Sequence, residues 1–186
     1  MINQIKRYYS ICEVNSCNTI SNVSFYLKDP DAGKCIISNN SKDGTCFIEN
    51  PSSKDINFVA IDECLIPATL ENKGIKKCDA LVFDDIIMWF IEIKEVQFSG
   101  NSKLDAQKRR NGRKKAVEQI ASTINDFKNK GVDLSTHKIA GLISFPPYIN
   151  QTNPITIPTV ASQALILKFA NECGFADLYE GNHLLF

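Results

Sequence analysis

The chain lacks most of the features that announce a chemistry. Its formal net charge is zero, with 21 basic and 21 acidic residues among 186. No global positive field therefore draws it to nucleic acid or to an acidic surface, and any such site must come from local charge segregation. The longest apolar run, near Ile86 to Ile91, is far too short to span a bilayer. The first residues carry no apolar leader segment, which sets the expectation of a cytoplasmic chain with no membrane partner. Gly100, Gly112 and Gly131 are isolated, so no glycine-rich phosphate cradle is present. There is no Gly-x-Ser-x-Gly elbow either. The two histidines, His137 and His183, lie far apart with no acidic partner at metal-ligand spacing, and both read as structural or exposed. A cysteine nucleophile would need one of them as its base, and neither has the sequence context. No repeat or low-complexity tract interrupts the chain.

Seven cysteines are present: Cys12, Cys17, Cys35, Cys46, Cys64, Cys78 and Cys173. An odd count without a secretion signal argues against a disulfide framework. Cys12, Cys17, Cys35 and Cys46 could be halves of a zinc site, but only the first pair has near-knuckle spacing. Reduced, mostly buried thiols are the simpler expectation.

What the chain does have is concentrated between residues 78 and 94. Apolar and aromatic residues dominate there, broken by Asp84-Asp85. This predicts a β-hairpin with arms at about Asp79–Phe83 and Ile87–Lys94 and its turn at the aspartate pair. Folding about that turn brings Asp79 opposite about Phe90 or Ile91, within a residue of Glu92. Glu92 and Lys94 are two apart on one strand and share a face. Two carboxylates and an ammonium then meet at one end of an apolar sheet, where charges need partners. An acidic pair suits a hard divalent cation, and a neighbouring lysine can orient water or stabilise charge on a phosphate.

A polar, basic stretch follows. Residues 101–115 hold Lys103, Lys108, Arg109, Arg110, Arg113, Lys114 and Lys115 against Asp105 alone, a net of +6 in a neutral chain. It reads as a surface loop able to attract a phosphate backbone without reading sequence, or simply as a solvated face. Lys114 to Lys128 is the clearest helix, with Ala116, Val117, Ile120, Ala121, Ile124 and Phe127 in one apolar stripe bordered by Gln119. Lys130-Gly131 closes it. His137 to Phe145 reads as a strand parallel to a neighbour.

Asp79, twelve intervening residues, then Glu92-Ile93-Lys94, with Gln119 on the following helix, resembles the PD-(D/E)XK nuclease superfamily. The resemblance covers about residues 60–145. It implies an α/β fold: a restriction-endonuclease-like αβββαβ core with a central mixed sheet flanked by helices. It further implies a divalent-metal-dependent phosphodiesterase using Mg²⁺ or Mn²⁺, held by Asp79, Glu92 and the Ile93 backbone carbonyl. Lys94 and Gln119 would complete the catalytic set. DNA is the implied partner, with RNA, a homodimer or a partner protein left open. An additional acid upstream is implied too; Glu63 is the leading candidate, beside Asp62 and Glu71. Cys78 stands where the name of the motif has proline. Small members of this kind often belong to mobile-element or antiviral systems. The alternative is a catalytically silent module that keeps the fold and binds nucleic acid or protein.

The remainder reads as part of one domain, residues 1–186. An N-terminal β-rich extension covers about 1–58, with strands near 24–28, 34–38 and 45–49, the last two forming a hairpin. Residues 57–66 are apolar with Asp62-Glu63 in their midst, and Pro67 ends whatever element they form. A C-terminal unit covers about 159–186. There a helix from Thr159 to Cys173 buries Ala164, Leu165, Leu167, Phe169 and Ala170 and ends at Gly174. A terminal hairpin turns at Gly181-Asn182.

Overall fold

The computed structural model describes residues 1–30, 33–40, 44–68, 75–94, 102–145 and 158–186. Two short helices open the chain, α1 (Ile2–Tyr8) and α2 (Ile11–Val14). Five strands follow: β1 (Asn18–Ser21), β2 (Phe25–Lys28), β3 (Ile36–Ser38), β4 (Cys46–Glu49) and β5 (Ile56–Ala60). Then come the hairpin strands β6 (Ala80–Phe83) and β7 (Ile87–Ile93), and the long helix α3 (Ser102–Asn129). The chain ends with β8 (Lys138–Ser144), β9 (Thr159–Val160), α4 (Gln163–Cys173), β10 (Leu178–Glu180) and β11 (His183–Leu185).

Among the described residues the strands form two sheets. The larger runs β1-β5-β6-β7-β8-β10-β9 and the smaller β11-β4-β2-β3. The larger sheet is mixed: β1, β5, β6 and β7 pair antiparallel, β7 to β8 and β8 to β10 pair parallel, and β9 closes antiparallel on β10. The parallel step from β7 to β8 needs a crossover, and α3 lies between them in sequence.

The expected hairpin forms, and its turn is made by the aspartates. The Asp84 carboxylate accepts the backbone N–H groups of Ile86 and Ile87, each at 2.9 Å, and pairs with Lys54 at 2.7 Å. That is how a short acidic side chain stands in for a backbone turn. Both arms are almost wholly buried because they lie mid-sheet.

Helix α3 packs its predicted stripe inward; Ala116, Val117, Ile120, Ala121, Ile124 and Phe127 are all buried. Gly141 on β8 faces this helical layer, since a Cβ there would meet Leu178, Ile120 and Phe169. Three residues on, Ser144 must face the other way, and its hydroxyl reaches the Thr45 carbonyl at 3.5 Å, beside β4 of the smaller sheet. Helices and the smaller sheet thus sandwich the larger sheet near β8. Gly131 and Gly174 follow α3 and α4 with φ of +88° and +79°, the left-handed positions that glycine adopts without a Cβ penalty.

The structure corrects several expectations. Residues 102–115 are not a loop but the first half of α3. Lys, Arg, Gln, Ala and Leu are all good helix formers, so a polar stretch of them is helical without an apolar stripe. The β-rich N-terminal segment opens with two short helices ahead of its strands. Strand β4 pairs with β2, not β3, because the hairpin is β2 with β3 and β4 adds on the other side. Residues 57–66 contribute β5 and a turn, so Asp62 and Glu63 sit after a strand. The terminal hairpin does not exist. The Gly181 N–H still bonds to Ile143 of the larger sheet at 3.2 Å, while the Asn182 carbonyl already accepts from Phe47 of the smaller one at 2.7 Å. Strands β10 and β11 therefore belong to different sheets. Helix α4 begins at Gln163 and buries a thinner stripe than expected, Phe169 and Cys173. Leu167 is 56% exposed, Ala164 is exposed and Leu165 and Ala170 are half-buried.

Cys17 and Cys64 are joined by a disulfide across 47 residues of sequence, contrary to the expectation of reduced thiols throughout. Two sequence-distant turns meet beside β1 and β5, and no spacing rule reveals such a pair. The bond also removes Cys17 from the zinc reading. Cys12, Cys35 and Cys46 are buried free thiols, and burial pushes Cys46 up to about 12. Among the described residues no three His, Cys, Asp or Glu side chains are grouped to hold a metal ion.

Candidate active site

The end of the hairpin opposite its turn gathers four of the residues singled out in the sequence. The backbone N–H of Asp79 donates to the Ile91 carbonyl at 3.1 Å. Ala80 faces Ile91 in the register, so Asp79 lies just where the ladder between β6 and β7 stops. Its carboxylate then takes over as partner, with Oδ2 accepting the Ile93 N–H at 2.6 Å. In a strand the N–H and C=O of one residue point to the same side. The Ile93 carbonyl therefore also faces the side on which Asp79 lies.

Glu92 points toward the helical layer, in register with Ile143 of β8. Its Oε1 accepts from Lys94 Nζ, in a part-buried ion pair. Its Oε2 is buried and has no hydrogen-bond partner. Lys94 Nζ also donates to Gln119 Oε1 at 2.7 Å, and Gln119 Nε2 donates to the Lys77 carbonyl at 2.9 Å. Gln119 thus bridges the lysine and the chain leading into Asp79. One turn further along α3, Thr123 Oγ1 accepts the Cys78 N–H at 2.9 Å and donates to the Gln119 carbonyl at 3.0 Å. The helix therefore fixes the two residues that lead into Asp79.

The electrostatics follow from burial. Glu92 is 1% exposed and Asp79 5%. Desolvation, with the negative charges of Asp29 and Asp62 nearby, pushes Asp79 up to about 7, although the Ile93 N–H and Lys94 pull it down. Burial and then the Asp79 charge hold Glu92 well above the usual carboxylate range, against the pull of Lys94. Two carboxyl groups that resist ionising in apolar surroundings, one with an unmet oxygen, are what a bound cation would relieve.

The donor set fits a hard divalent cation of the Mg²⁺ or Mn²⁺ kind. Such ions are commonly held by one or two carboxylates, completing their shell with water and substrate phosphate. Two carboxylates, the unmatched Glu92 Oε2 and the nearby Ile93 carbonyl meet that description. A preformed cage of three acidic or sulfur ligands is not needed for it.

The two described upstream candidates both face Lys77, two residues before Asp79. Glu63, in a left-handed conformation at φ 53°, pairs with Lys77 at 3.5 Å, and Asp62 pairs with the same lysine at 2.8 Å. Both acids are thus committed to a lysine that is nearly buried. Glu71 lies outside the described residues. The acid missed in the sequence is Asp29, whose charge acts on both Asp79 and Glu92. Its position comes from the smaller sheet packing near β8, and nothing in Lys28-Asp29-Pro30 signals it.

The basic residues spread along α3. Lys103, Lys108, Arg110, Lys114 and Lys115 are exposed, Arg113 is half-buried and Arg109 is 8% exposed. The Arg109 and Arg113 guanidinium groups lie 5.0 and 5.4 Å from the Phe145 ring centroid. A Cβ on Gly112 would lie 3.4 Å from that ring and 3.9 Å from Lys94 Cγ. The arginines on this turn are therefore one side chain away from the Glu92–Lys94 pair. The two histidines stay outside the cluster: His183 pairs with Glu49 at 2.7 Å, and His137 contacts the Asp84 carbonyl at 3.0 Å. No helix of the described residues is long and apolar enough to cross a membrane. Compared with family models, with curated proteins and with solved structures, the chain matches none.

Proposed function

We propose that this chain is a divalent-metal-dependent nuclease of the PD-(D/E)XK type that hydrolyses phosphodiester bonds in DNA. The observation that carries the reading is the convergence of Glu92, Lys94 and Gln119 through direct hydrogen bonds, beside a buried Asp79 locked to Ile93. The order β5-β6-β7-α3-β8 supports it, since three antiparallel strands, a crossover helix and a parallel strand make up βββαβ of the restriction-endonuclease-like core.

Asp79, Glu92 and the Ile93 carbonyl would hold Mg²⁺ or Mn²⁺. Bound there, the ion supplies positive charge for the scissile phosphate and acidifies water. The work of the chain's own residues is positional. Gln119, tied to the Lys77 carbonyl, keeps Lys94 Nζ at the mouth of the acidic pair. Lys94 orients the attacking water and stabilises charge on the phosphate oxygens as the water oxygen bonds to phosphorus and the P–O ester bond breaks. The leaving oxygen takes up a proton. Asp79 and Glu92 are buried and so exclude bulk water from the reacting face. The exposed cations of α3 hold the strand by its backbone, without reading sequence.

The test is cleavage of linear, circular and single-stranded DNA with Mg²⁺ or Mn²⁺ by wild type, Asp79→Ala and Lys94→Ala. Wild-type cleavage lost in both variants is the expected result. Equal cleavage by all three contradicts the assignment. No cleavage by any of them favours a silent module that keeps the fold and binds nucleic acid or protein.

A further inference from the structure

Beside the acidic cluster, part of the cationic face of α3 lines a groove between α3 and the start of α4. The groove has a volume of about 560 Å³. Arg109, Arg110, Arg113 and Lys114 line it from α3, and Ser162 and Glu180 face them. Four cations thus meet one carboxylate in a concave, partly desolvated space. Arg113 Nε donates to Glu180 Oε2 at 2.7 Å, so the one acid is already committed to one arginine. Arg110 and Lys114, both exposed, add positive charge to the same wall.

Two features suit it to phosphate. Arg109 and Arg113 lie over the Phe145 ring, which restrains their planes before any ligand arrives, so less side-chain entropy is lost on binding. Ser162 caps α4 without a side-chain hydrogen bond, so the first turn of that helix adds partial positive charge at the same wall. The arginines carry the argument, and the helix end reinforces it.

We propose that this groove is a phosphate subsite in which Glu180 holds Arg113 until a nucleic-acid phosphate takes its place. The inference rests on the nuclease reading for the identity of the strand, but not for the chemistry of the groove. Through Phe145 and Gly112 the groove adjoins Lys94, so the phosphate seated there belongs to a nucleotide near the cleaved bond. The bound group is either an internal diester or a terminal monoester.

Binding without metal separates this proposal from catalysis. Fluorescent single-stranded oligonucleotides, with a 5′-phosphate and with a 5′-hydroxyl, are titrated in EDTA across a range of salt. The proteins compared are wild type, Arg110→Ala, Arg110→Ala/Arg113→Ala and Glu180→Gln. The double variant should bind roughly tenfold more weakly and show a shallower salt dependence. Arg110→Ala, at an exposed position, should shift the same way by less and guards against misfolding. Glu180→Gln should bind more tightly, because Arg113 is released. A preference for the 5′-phosphate assigns the terminal group, and equal affinity assigns the internal one. Unchanged affinity in both arginine variants, or weaker binding by Glu180→Gln, would overturn the subsite. Wild-type binding that follows this pattern without any metal-dependent cleavage would remove the nuclease reading and leave the groove standing.

Discussion

Asp79 is the residue at which stability and chemistry conflict most directly. Its carboxyl is raised from 3.8 to about 7 by burial, so between those values the folded protein holds a proton that the unfolded chain has released. Stability from this group is therefore greatest at low pH and declines as pH rises through about 7. Asp79→Asn keeps an oxygen to accept the Ile93 N–H and removes the decline. We expect the variant to melt well above wild type at pH 8 without metal, and nearly level with it at pH 4, since a rise from 3.8 to about 7 corresponds to roughly 4 kcal/mol. A lower melting temperature for the variant at pH 8 would contradict the buried-acid account. Adding Mn²⁺ should raise wild type and leave the variant largely unmoved, as ligand linkage requires. The residue scale is also where the sequence was most readable. Glu92 and Lys94 share a face by strand alternation alone, and Gln119 meets them because it borders the apolar stripe of its helix. Asp29 was not readable, since its nearness depends on how two sheets pack.

Elements position these residues, and β8 is the one against which both helices lie. Gly141 sits where β8 passes beneath α3 and α4. A Cβ there would come within 3.0 Å of Leu178, 3.3 Å of Ile120 and 3.3 Å of Phe169. Three packed side chains have little room to withdraw, so Gly141→Ala should destabilise the fold by about 1–3 kcal/mol. Urea denaturation would read this as a lower midpoint with an unchanged slope; an unchanged midpoint would mean that the helical layer is looser than described. At this scale legibility followed periodicity. The hairpin, the second half of α3 and β8 are long or strongly patterned and were found in place. The first half of α3 lacks an apolar stripe, so its helical state rests on propensity alone, which composition does not distinguish from a polar loop. Strands β10 and β11 are each three residues long, too short for alternation to show that they enter different sheets.

The whole molecule is fastened by contacts that no local pattern encodes. The Cys17–Cys64 bond ties the N-terminal helices to the turn after β5, across 47 residues. Closing a loop of that size stabilises a protein by about 2–4 kcal/mol. Unfolded, unreduced protein should therefore titrate five thiols, those of Cys12, Cys35, Cys46, Cys78 and Cys173, and reduction should lower the melting temperature. Seven titratable thiols before reduction would remove the bond from the account. The larger sheet between its helical and β layers likewise came from long-range pairing, although its mixed α/β class was legible from the order of elements. That order brings the hairpin, α3 and β8 together, and the central claim is that they do so to build a phosphodiesterase site. Single-turnover cleavage of a linear DNA duplex in Mg²⁺, with Mn²⁺ binding measured in parallel, tests this most directly on Lys94→Ala. The account predicts that the variant still binds Mn²⁺ and DNA but cleaves slower by roughly a hundredfold or more. Cleavage at the wild-type rate by metal-loaded Lys94→Ala would contradict it.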